Sequence, residues 1–257
     1  MTLLTVTERR NSIIEILNKN GRVSVSDLSK KFGVSGVVIR ADLTELENKG
    51  MLTRVHGGAV TSYKSYYDMS LIQRANTNAK EKQEIAKEVA KIIKDNDTIM
   101  MNAGTTPIFV AREIASKKVT IVTNSIALAT ECSKNPNFKI LLIGGDVDGS
   151  YQFTYGTAAL CELERYTADL LILSVDGIDA NKGFSTFYYH EAEICRSMIK
   201  NSKKKIVVAD FSKLDRVAFA EVDKISSVDT IITNEKNVMK STIKNLRAKG
   251  VEVITAT

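Results

Sequence analysis

The sequence of 257 residues has no tryptophan, two prolines and two histidines. Its three cysteines, Cys132, Cys161 and Cys195, are far apart and odd in number, which argues against a disulfide framework and against a Cys-x-x-Cys metal site. With only His56 and His190 present, a metal centre built from several histidines is excluded as well. The sequence therefore predicts a protein with no bound metal and no other cofactor.

Long apolar runs are also missing. The longest apolar runs are of the kind found at residues 170–173, whereas a membrane-spanning helix needs about 20 apolar residues. The first ten residues, MTLLTVTERR, lack the apolar segment of a secretory signal. Contents of 44% hydrophobic and 26% charged residues are ordinary for a globular protein and exclude a disordered chain, a fibre and a coiled coil. We expect a cytoplasmic protein without a membrane partner.

The net charge of +6 is unevenly distributed along the chain. Residues 1–60 contain nine basic and six acidic side chains, so half of the excess lies in less than a quarter of the sequence. A basic N-terminal segment suggests an anionic partner, of which nucleic acid is the leading candidate. A mildly basic solvated surface explains the charge equally well.

Residues 1–60 carry the signals of three helices followed by a β-hairpin. Two short β-prone runs around residues 57–58 predict the hairpin. A tight turn between the second and third helices, followed by a hairpin, is typical of a winged helix-turn-helix. The predicted helix N-caps are Thr7, Ser24 and Ser35, and the predicted helix ends are Gly21, Gly33 and Gly50.

In a winged helix-turn-helix the N-terminal part of the third helix enters the major groove of DNA. Arg40 suits a bidentate contact with guanine or a phosphate contact, and Ser35 at the helix start suits a phosphate. Ala41 is predicted to face outward beside them. The alternative is a three-helix module that binds protein instead of DNA. The candidate DNA-binding residues are Ser35, Gly36, Val38, Arg40 and Thr44 on the helix and Arg54 and His56 on the wing.

Residues 7–60 resemble the N-terminal domain of the DeoR/GlpR family of bacterial sugar-metabolism repressors, most specifically in the RVHGGA segment at 54–59. Two positions depart from the Ser-x-x-Thr-Ile-Arg-Arg-Asp-Leu pattern of that family. Val38 stands where threonine is usual, and Ala41 stands where a second arginine is usual. The resemblance implies DNA binding, and both departures imply a different operator sequence or a lower affinity.

Residues 61–79 form the predicted linker, where Tyr63, Tyr66 and Tyr67 are expected to pack onto a domain rather than stack on nucleic acid. From residue 80 to 257, helical segments alternate with short β-branched runs. This alternation predicts an α/β domain with a mainly parallel sheet, in which ligands bind at the carboxyl ends of the strands. The predicted strands cover residues 98–102, 119–123, 139–143, 169–175, 205–209, 229–233 and 251–255.

Five of these strands end in polar turns. The turn at residues 104–106 offers N–H groups, hydroxyls and the positive end of a helix dipole to a phosphate. Asp176 suits a sugar hydroxyl, and Lys213 supplies a positive charge. One such turn alone is usually only a turn, but five at one sheet edge favour a ligand site. The candidate effector-binding residues are Asn102, Gly104, Thr105, Thr106, Thr123, Asn124, Ser125, Gly144, Gly145, Asp176, Gly177 and Lys213.

These turns also resemble the effector domain of the DeoR/GlpR family. The matching pieces are Gly-Thr-Thr, Thr-Asn-Ser, Gly-Gly, Asp-Gly-Ile-Asp, Gly-x-Ser-Thr and Asp-x-Ser-Lys, although most members have aspartate at the position of Asn102. The resemblance implies the fold of ribose-5-phosphate isomerase and a pocket that senses phosphorylated sugars. It thus implies a non-enzymatic regulator, a repressor of a carbohydrate-utilisation operon that a sugar phosphate controls.

Two other functions stay open at this point. A sugar-phosphate isomerase would use Asp176, Asp179 and either Lys182 or Lys213 as acid and base groups. A protein-interaction adaptor would leave the polar strand ends without a role. Because a winged helix reads one half-site, binding to double-stranded operator DNA predicts a homodimer or a homotetramer.

Overall fold

The computed structural model describes residues 4–49, 51–61, 70–234 and 240–257. The chain divides into two compact units, Met1–Asn78 and Ala79–Thr257. The tyrosines of the predicted linker, Tyr63, Tyr66 and Tyr67, and the predicted helix end Gly50 lie outside the described residues.

The N-terminal unit is a winged helix-turn-helix, as the sequence predicted. Its three strands form an antiparallel sheet in the order β1–β3–β2, and one apolar core joins this sheet to the helices. A short helix follows in a stretch where the sequence predicted no element. The elements are α1 (Val6–Asn20), β1 (Arg22–Ser24), α2 (Val25–Phe32), α3 (Gly36–Asn48), β2 (Leu52–Val55), β3 (Gly58–Thr61) and α4 (Leu71–Asn76).

The predicted N-cap of α1 is wrong by two residues. Thr5, and not Thr7, caps the helix, because its hydroxyl accepts the N–H of Glu8 while the Glu8 carboxylate accepts the N–H of Thr5. This reciprocal capping box satisfies two backbone donors and favours the earlier start. Ser24 and Ser35 cap α2 and α3 as predicted.

Strand β1 was not predicted from the sequence. Its position explains why the second glycine of the wing, Gly58, cannot carry a side chain. A Cβ atom on Gly58 would lie 1.9 Å from the carbonyl oxygen of Val23, because β1 passes close to the start of β3. No side chain fits in that space, so the sheet requires glycine at this position.

The C-terminal unit is an α/β domain whose strands alternate with helices. Its helices are α5 (Ala79–Ile92), α6 (Thr105–Glu113), α7 (Ile126–Cys132), α8 (Thr157–Leu163), α9 (Tyr189–Lys200) and α10 (Lys240–Arg247). The strands of the main sheet are β4 (Thr98–Met101), β5 (Val119–Thr123), β6 (Phe138–Leu142), β9 (Ala168–Ser174), β12 (Ser202–Val208), β14 (Thr230–Asn234) and β15 (Glu252–Ala256).

All pairings in this seven-stranded sheet are parallel, in the order β15–β14–β12–β9–β4–β5–β6. The chain runs from β4 outward to β6 and then returns to β9 on the other side of β4. The direction of strand addition therefore reverses between β4 and β9. In open parallel sheets such a switch point leaves a crevice at the carboxyl ends of the strands, where ligands bind.

Two smaller antiparallel assemblies accompany the main sheet. The hairpin of β7 (Asp146–Asp148) and β8 (Phe153–Tyr155) follows β6. A three-stranded sheet joins β10 (Gly177–Asp179), β11 (Gly183–Thr186) and β13 (Ala220–Asp223). The sequence predicted neither assembly, and the second one proves important for the candidate site.

Of the helices that the structure describes, none has both the length and the apolar character needed to cross a membrane. Over the same described residues, no group of three or more His, Cys, Asp or Glu side chains is placed to hold a metal ion.

Candidate functional site

The first turns of α3 hold most of the residues that the sequence predicted for contact with DNA. Ser35, Val38, Arg40 and Ala41 are exposed, as the sequence predicted for outward positions. Val37 was not among the predicted residues, yet it is the most exposed large apolar residue of α3, at 72%. The N-terminal turns of α3 thus present Arg40 together with apolar side chains.

Gly36 and Thr44 have contacts within the fold. A Cβ on Gly36 would lie 3.3 Å from Val25 Cγ1, so the glycine lets α3 begin close to α2. The Thr44 hydroxyl donates to the carbonyl of Arg40 at 2.9 Å and accepts from Arg54 Nη1 at 2.8 Å. The bond to Arg54 holds β2 of the wing against α3.

The wing presents its tip to solvent. His56 and Gly57 form the turn between β2 and β3, and both are exposed. The backbone N–H of Arg54 donates to Glu47 Oε1 at 2.7 Å, which is a second bond between the wing and α3. The recognition helix and the wing therefore form one fixed surface.

Beneath this surface lies a buried ion triad. The Asp42 carboxylate, 2% exposed, accepts from Arg9 Nε at 2.6 Å and from Arg10 Nε at 2.9 Å. Both carboxylate oxygens are thus bound to α1. This contact fixes the orientation of α3, which carries the exposed residues.

In the C-terminal unit, Asn102 joins the two strands at the switch point. Its Nδ2 donates to the Ser174 carbonyl at 2.9 Å, and its Oδ1 accepts from the Ser174 N–H at 2.7 Å. The side chain is fully buried and continues the β4–β9 ladder by one step. Asn102 therefore shapes the base of the crevice.

Gly104 follows at the start of α6. A Cβ on Gly104 would lie 2.7 Å from Ser174 Cβ, so this close approach requires glycine. Since glycine has no side chain, α6 begins without the side-chain cap that α2 and α3 have. The positive end of the α6 dipole and the buried residues Thr105 and Thr106 lie at the switch point.

The Thr123, Asn124 and Ser125 side chains are buried and engaged in bonds within the fold. Asn124 accepts from the Ala103 N–H at 3.1 Å and donates to the Thr154 carbonyl at 3.0 Å. Thr123 accepts from the Ser125 N–H, and Ser125 caps α7 by accepting from the Leu128 N–H. Asn124 thus holds the loop after β4, whereas Thr123 and Ser125 hold the turn between β5 and α7.

Gly144 and Gly145 lie farther along the same edge. They follow β6, the outermost strand, two strands from β4, and both are exposed. The Gly144 N–H donates to Glu162 Oε2 at 2.8 Å. No described contact joins them to the residues at the switch point.

Asp176 lies just after β9, and several polar groups at the switch point contact its carboxylate. The β10–β11 hairpin, which begins at Gly177, brings Thr186 back to it, so that the Thr186 hydroxyl lies 2.9 Å from Asp176 Oδ2 and 2.7 Å from Glu191 Oε2. The Phe187 N–H donates to the same Asp176 oxygen at 3.2 Å. The small antiparallel sheet thus determines which oxygen of Asp176 faces Lys213.

Lys213 supplies the positive charge of this group. It ends a single 3₁₀ turn after β12, and its Nζ lies 3.5 Å from Asp176 Oδ1 with both side chains 12% exposed. Asp210 caps the same turn. Burial raises the pKa of Asp210, but the charges of Lys82 and Lys213 and the bonds from Ser212 outweigh it, so that the pKa lies below its usual value.

Lys82 belongs to the same group of charged side chains, because its charge acts on Asp210, and the sequence did not predict it. It lies on α5 and is 4% exposed. The buried residues of α5 are Lys82, Ile85, Ala86 and Val89, so the lysine occupies an apolar position of the helical repeat. A charged residue in that register is the signal that could have revealed it.

Replacing Lys82 by methionine is expected to lower the stability of the C-terminal unit by about 1–3 kcal/mol at neutral pH, because the buried Asp210 carboxylate loses the charge of Lys82. The wild-type contribution of Asp210 is present above the pKa of an unfolded aspartate, about 3.9, and is lost as the pH falls through the lower folded pKa. The difference in the free energy of unfolding between the variant and the wild type therefore becomes smaller as the pH is lowered. Urea unfolding at neutral and acidic pH measures it.

Lys80→Met is the matched control for this prediction. Lys80 lies on the same helix, its side chain is 87% exposed, and it pairs with Glu84 at 3.5 Å. An exposed pair of this kind contributes about 0–1 kcal/mol. Equal losses for Lys80→Met and Lys82→Met at neutral pH would contradict the role given to Lys82.

The residues proposed for isomerase chemistry are only partly brought together. Asp179 Oδ1 accepts the N–H groups of Asn181 and Lys182 and so caps the β10–β11 turn. Lys182 is exposed at that turn.

Burial, and secondarily the charge of Glu191, raise the pKa of the Cys195 thiol well above its usual value, which keeps the thiol protonated.

Comparison with known proteins gives matches in both units. A DeoR-like helix-turn-helix domain matches residues 9–64, and the DeoR C terminal sensor domain matches residues 77–235. The chain is 32% identical to the HTH-type transcriptional regulator GolR of Listeria innocua, over 96% of this chain and 97% of that protein. It is 34% identical to the glycerol-3-phosphate regulon repressor of Escherichia coli K12, over 89% and 90% of the two chains.

Among solved structures, the chain is similar to ribose 5-phosphate isomerase A of Methanocaldococcus jannaschii. The TM-score is 0.40 and the sequence identity is 18%, over 53% of this chain and 55% of that one.

A further relative by sequence is a putative aga operon transcriptional repressor of Escherichia coli O157:H7. It is 34% identical, over 96% of this chain and 93% of that protein.

Proposed function

The chain belongs to the DeoR family of helix-turn-helix transcriptional regulators, and from that premise we propose that it represses a carbohydrate-utilisation operon under the control of a phosphorylated sugar. The winged helix binds double-stranded operator DNA through α3 and the wing. The sugar phosphate binds at the switch point of the parallel sheet. Relatives named as a glycerol-3-phosphate regulon repressor and as a putative aga operon transcriptional repressor support the repressor part of the proposal.

The observation that carries the effector proposal is the continuity of polar groups from α6 to Lys213. The start of α6 touches Ser174 at the position of Gly104, Asp176 follows two residues later, and Asp176 contacts Lys213. An uncapped helix start together with a buried lysine suits a phosphate, and a carboxylate suits sugar hydroxyls. We propose that Thr105, Thr106, Asp176 and Lys213 contact the ligand.

The remaining predicted effector residues take a supporting role in this proposal. Asn102 and Asn124 direct both ends of their amides to backbone groups of the fold. Thr123 and Ser125 fix the neighbouring loop. Gly144 and Gly145 lie at the outer edge, where a larger sugar would reach.

We propose that the protein senses the sugar phosphate and does not convert it. Asp176 and Lys213 lie together, but Asp179 and Lys182 belong to the turn of the neighbouring hairpin. A sensor must also release its ligand unchanged. Incubation with pentose and hexose phosphates, followed by ³¹P NMR, tests this point, and a new sugar-phosphate signal would support the isomerase alternative.

DNA binding is tested by fluorescence anisotropy with the intergenic DNA upstream of the gene for this protein. Low salt is used first, because contacts with backbone phosphates are strongest there. We expect this DNA to bind more tightly than a scrambled duplex of the same composition. Equal binding to both duplexes at low and moderate salt would overturn the repressor proposal.

The effector is sought by thermal unfolding with a panel of pentose and hexose phosphates. Each compound is compared with its unphosphorylated sugar and with inorganic phosphate. A ligand at one hundred times its Kd adds about 2.7 kcal/mol to the stability of the folded protein. The same ligand is expected to change operator affinity about 5- to 150-fold, which corresponds to a coupling of about 1–3 kcal/mol. Equal stabilisation by a sugar without its phosphate would contradict the proposed ligand class.

We also propose that the protein acts as a homodimer or a homotetramer. Each winged helix reads one half-site, and the symmetry of an operator mirrors that of the protein. Light scattering of the full chain, free and with DNA, determines the number of copies. A monomer in both states would overturn this part.

A further inference from the structure

The first turn of α3 carries two exposed valines next to each other. Val37 is 72% exposed and Val38 is 37% exposed, whereas Ile39, which follows them, is fully buried. Ala41 lies one turn after Val37 and is also exposed. The end of the recognition helix that meets base edges in DNA complexes is therefore largely apolar.

The polar groups on this surface have other contacts. The Ser35 hydroxyl accepts from the Val38 N–H, and the Thr44 hydroxyl bonds to Arg40 and Arg54. Of residues 35–41, Arg40 alone has a charged side chain. Direct reading of bases by hydrogen bonds is accordingly limited on this helix.

We propose that Val37 and Val38 read thymine through the 5-methyl groups in the major groove. The methyl group of thymine is the apolar group that the major groove presents, and short apolar side chains are its usual contacts. The proposal rests on the DNA-binding function proposed above. Val37 becomes a specificity-determining residue that the sequence reasoning did not include.

Duplex DNA, and not a protein, is the partner that fits this surface. Arg40 flanks the valines on α3, and Arg54 lies at the adjacent wing, held there by Thr44. These cations lie beside the exposed valines and complement a polyanion. The buried Asp42 triad fixes the helix, so the valines meet the groove in a set orientation.

The experiment uses the full chain and begins with the selection of binding sites from randomised duplex DNA. Each thymine of the selected site is then replaced singly by deoxyuridine, which lacks only the methyl group. We expect replacement at one or two thymines in each half-site to weaken binding about fourfold each, the equivalent of about 0.8 kcal/mol for one buried methyl. Replacement at the other thymines leaves the affinity unchanged.

A variant with Val37→Ala and Val38→Ala together tests whether these residues make the contact. Alanine favours an exposed helix, so the variant folds, and circular dichroism verifies it. We expect its affinity for the thymine site to fall and its sensitivity to deoxyuridine to decrease, because alanine lacks the two Cγ methyl groups of valine. Val6→Ala removes the same groups from an exposed valine of α1, 50% exposed, and is expected to keep the full sensitivity.

Two results would overturn the inference while leaving DNA binding intact. One is a selected site in which no thymine responds to deoxyuridine. The other is a double valine variant whose sensitivity equals that of Val6→Ala. If selection enriches no sequence and no duplex binds at low salt, the proposed function itself fails, and that outcome is distinct from both.

Discussion

Replacement of Asp42 by alanine is expected to unfold the N-terminal unit and to abolish DNA binding by the full chain. The variant leaves Arg9 and Arg10 without the buried carboxylate that both of them contact. Removal of one partner from a buried ion pair costs about 3–5 kcal/mol, whereas a whole domain is stable by about 5–15 kcal/mol and small ones by the least. Urea unfolding followed by circular dichroism, with anisotropy for DNA, measures both effects.

Glu45→Gln on the same helix is the control for this result. Glu45 pairs with Lys49 at 3.4 Å, and about half of each side chain is exposed. Such a pair contributes about 0.3–0.5 kcal/mol. Thermal stabilisation of the Asp42→Ala variant by a sugar phosphate should persist, because the C-terminal unit has its own core. Similar losses of stability for the two variants would contradict the importance given to the triad.

Replacement of Lys213 by methionine is expected to remove the response to sugar phosphates. Methionine keeps much of the length of the side chain but takes away the buried cation beside Asp176. A phosphate that stabilises the wild type by about 2.7 kcal/mol at one hundred times its Kd should leave the unfolding of the variant unchanged at the same concentration. Thermal unfolding and isothermal titration calorimetry measure the loss, and operator binding without ligand reports that the fold is intact.

Lys203→Met provides the matched comparison. Lys203 lies at the amino end of β12, its side chain is 69% exposed, and it pairs with Asp169 at 2.9 Å. That end of the strand is opposite to the proposed site, so the ligand response should equal that of the wild type. If both lysine variants respond normally, the phosphate does not bind beside Lys213.

Elements with strong local signals were predicted closely. The limits of α2 match the prediction at both ends, because Ser24 caps the helix and Gly33 ends it in a left-handed conformation. Strand β12 begins at Ser202 and not at 205, since its first residues are polar yet pair with β9. Strand limits are predicted from the pattern of apolar residues. A strand that begins with polar residues is recognised only from its pairing with the neighbouring strand.

The small antiparallel assemblies escaped prediction for a related reason. Strand β1 has three residues and is defined by its pairing with Val60, Ala59 and Gly58, which lie far along the chain. The β10–β11 hairpin likewise depends on contacts with β13. Backbone pairing between distant segments leaves no periodic trace in such short strands.

For the candidate site, the sequence located the turns but not the use of each side chain. The rule on strand ends predicts residues 102–106, 123–125 and 176 as candidates for the site. Which amides are engaged inside the fold depends on partners that are distant in sequence, such as Thr154 for Asn124. Lys82 was missed because a lysine on an amphipathic helix is ordinarily exposed.

The two bonds of Asn102 have a consequence for building chimaeric sensors. Its amide offers one donor and one acceptor to the two backbone groups of Ser174. An ionised aspartate offers acceptors only, so it would place an oxygen against the Ser174 carbonyl oxygen. A loop grafted from a relative with aspartate at this position therefore needs its own counterpart of the end of β9. The loop that contains Asn102 and the end of β9 should therefore be exchanged together when the specificity of this regulator is redesigned.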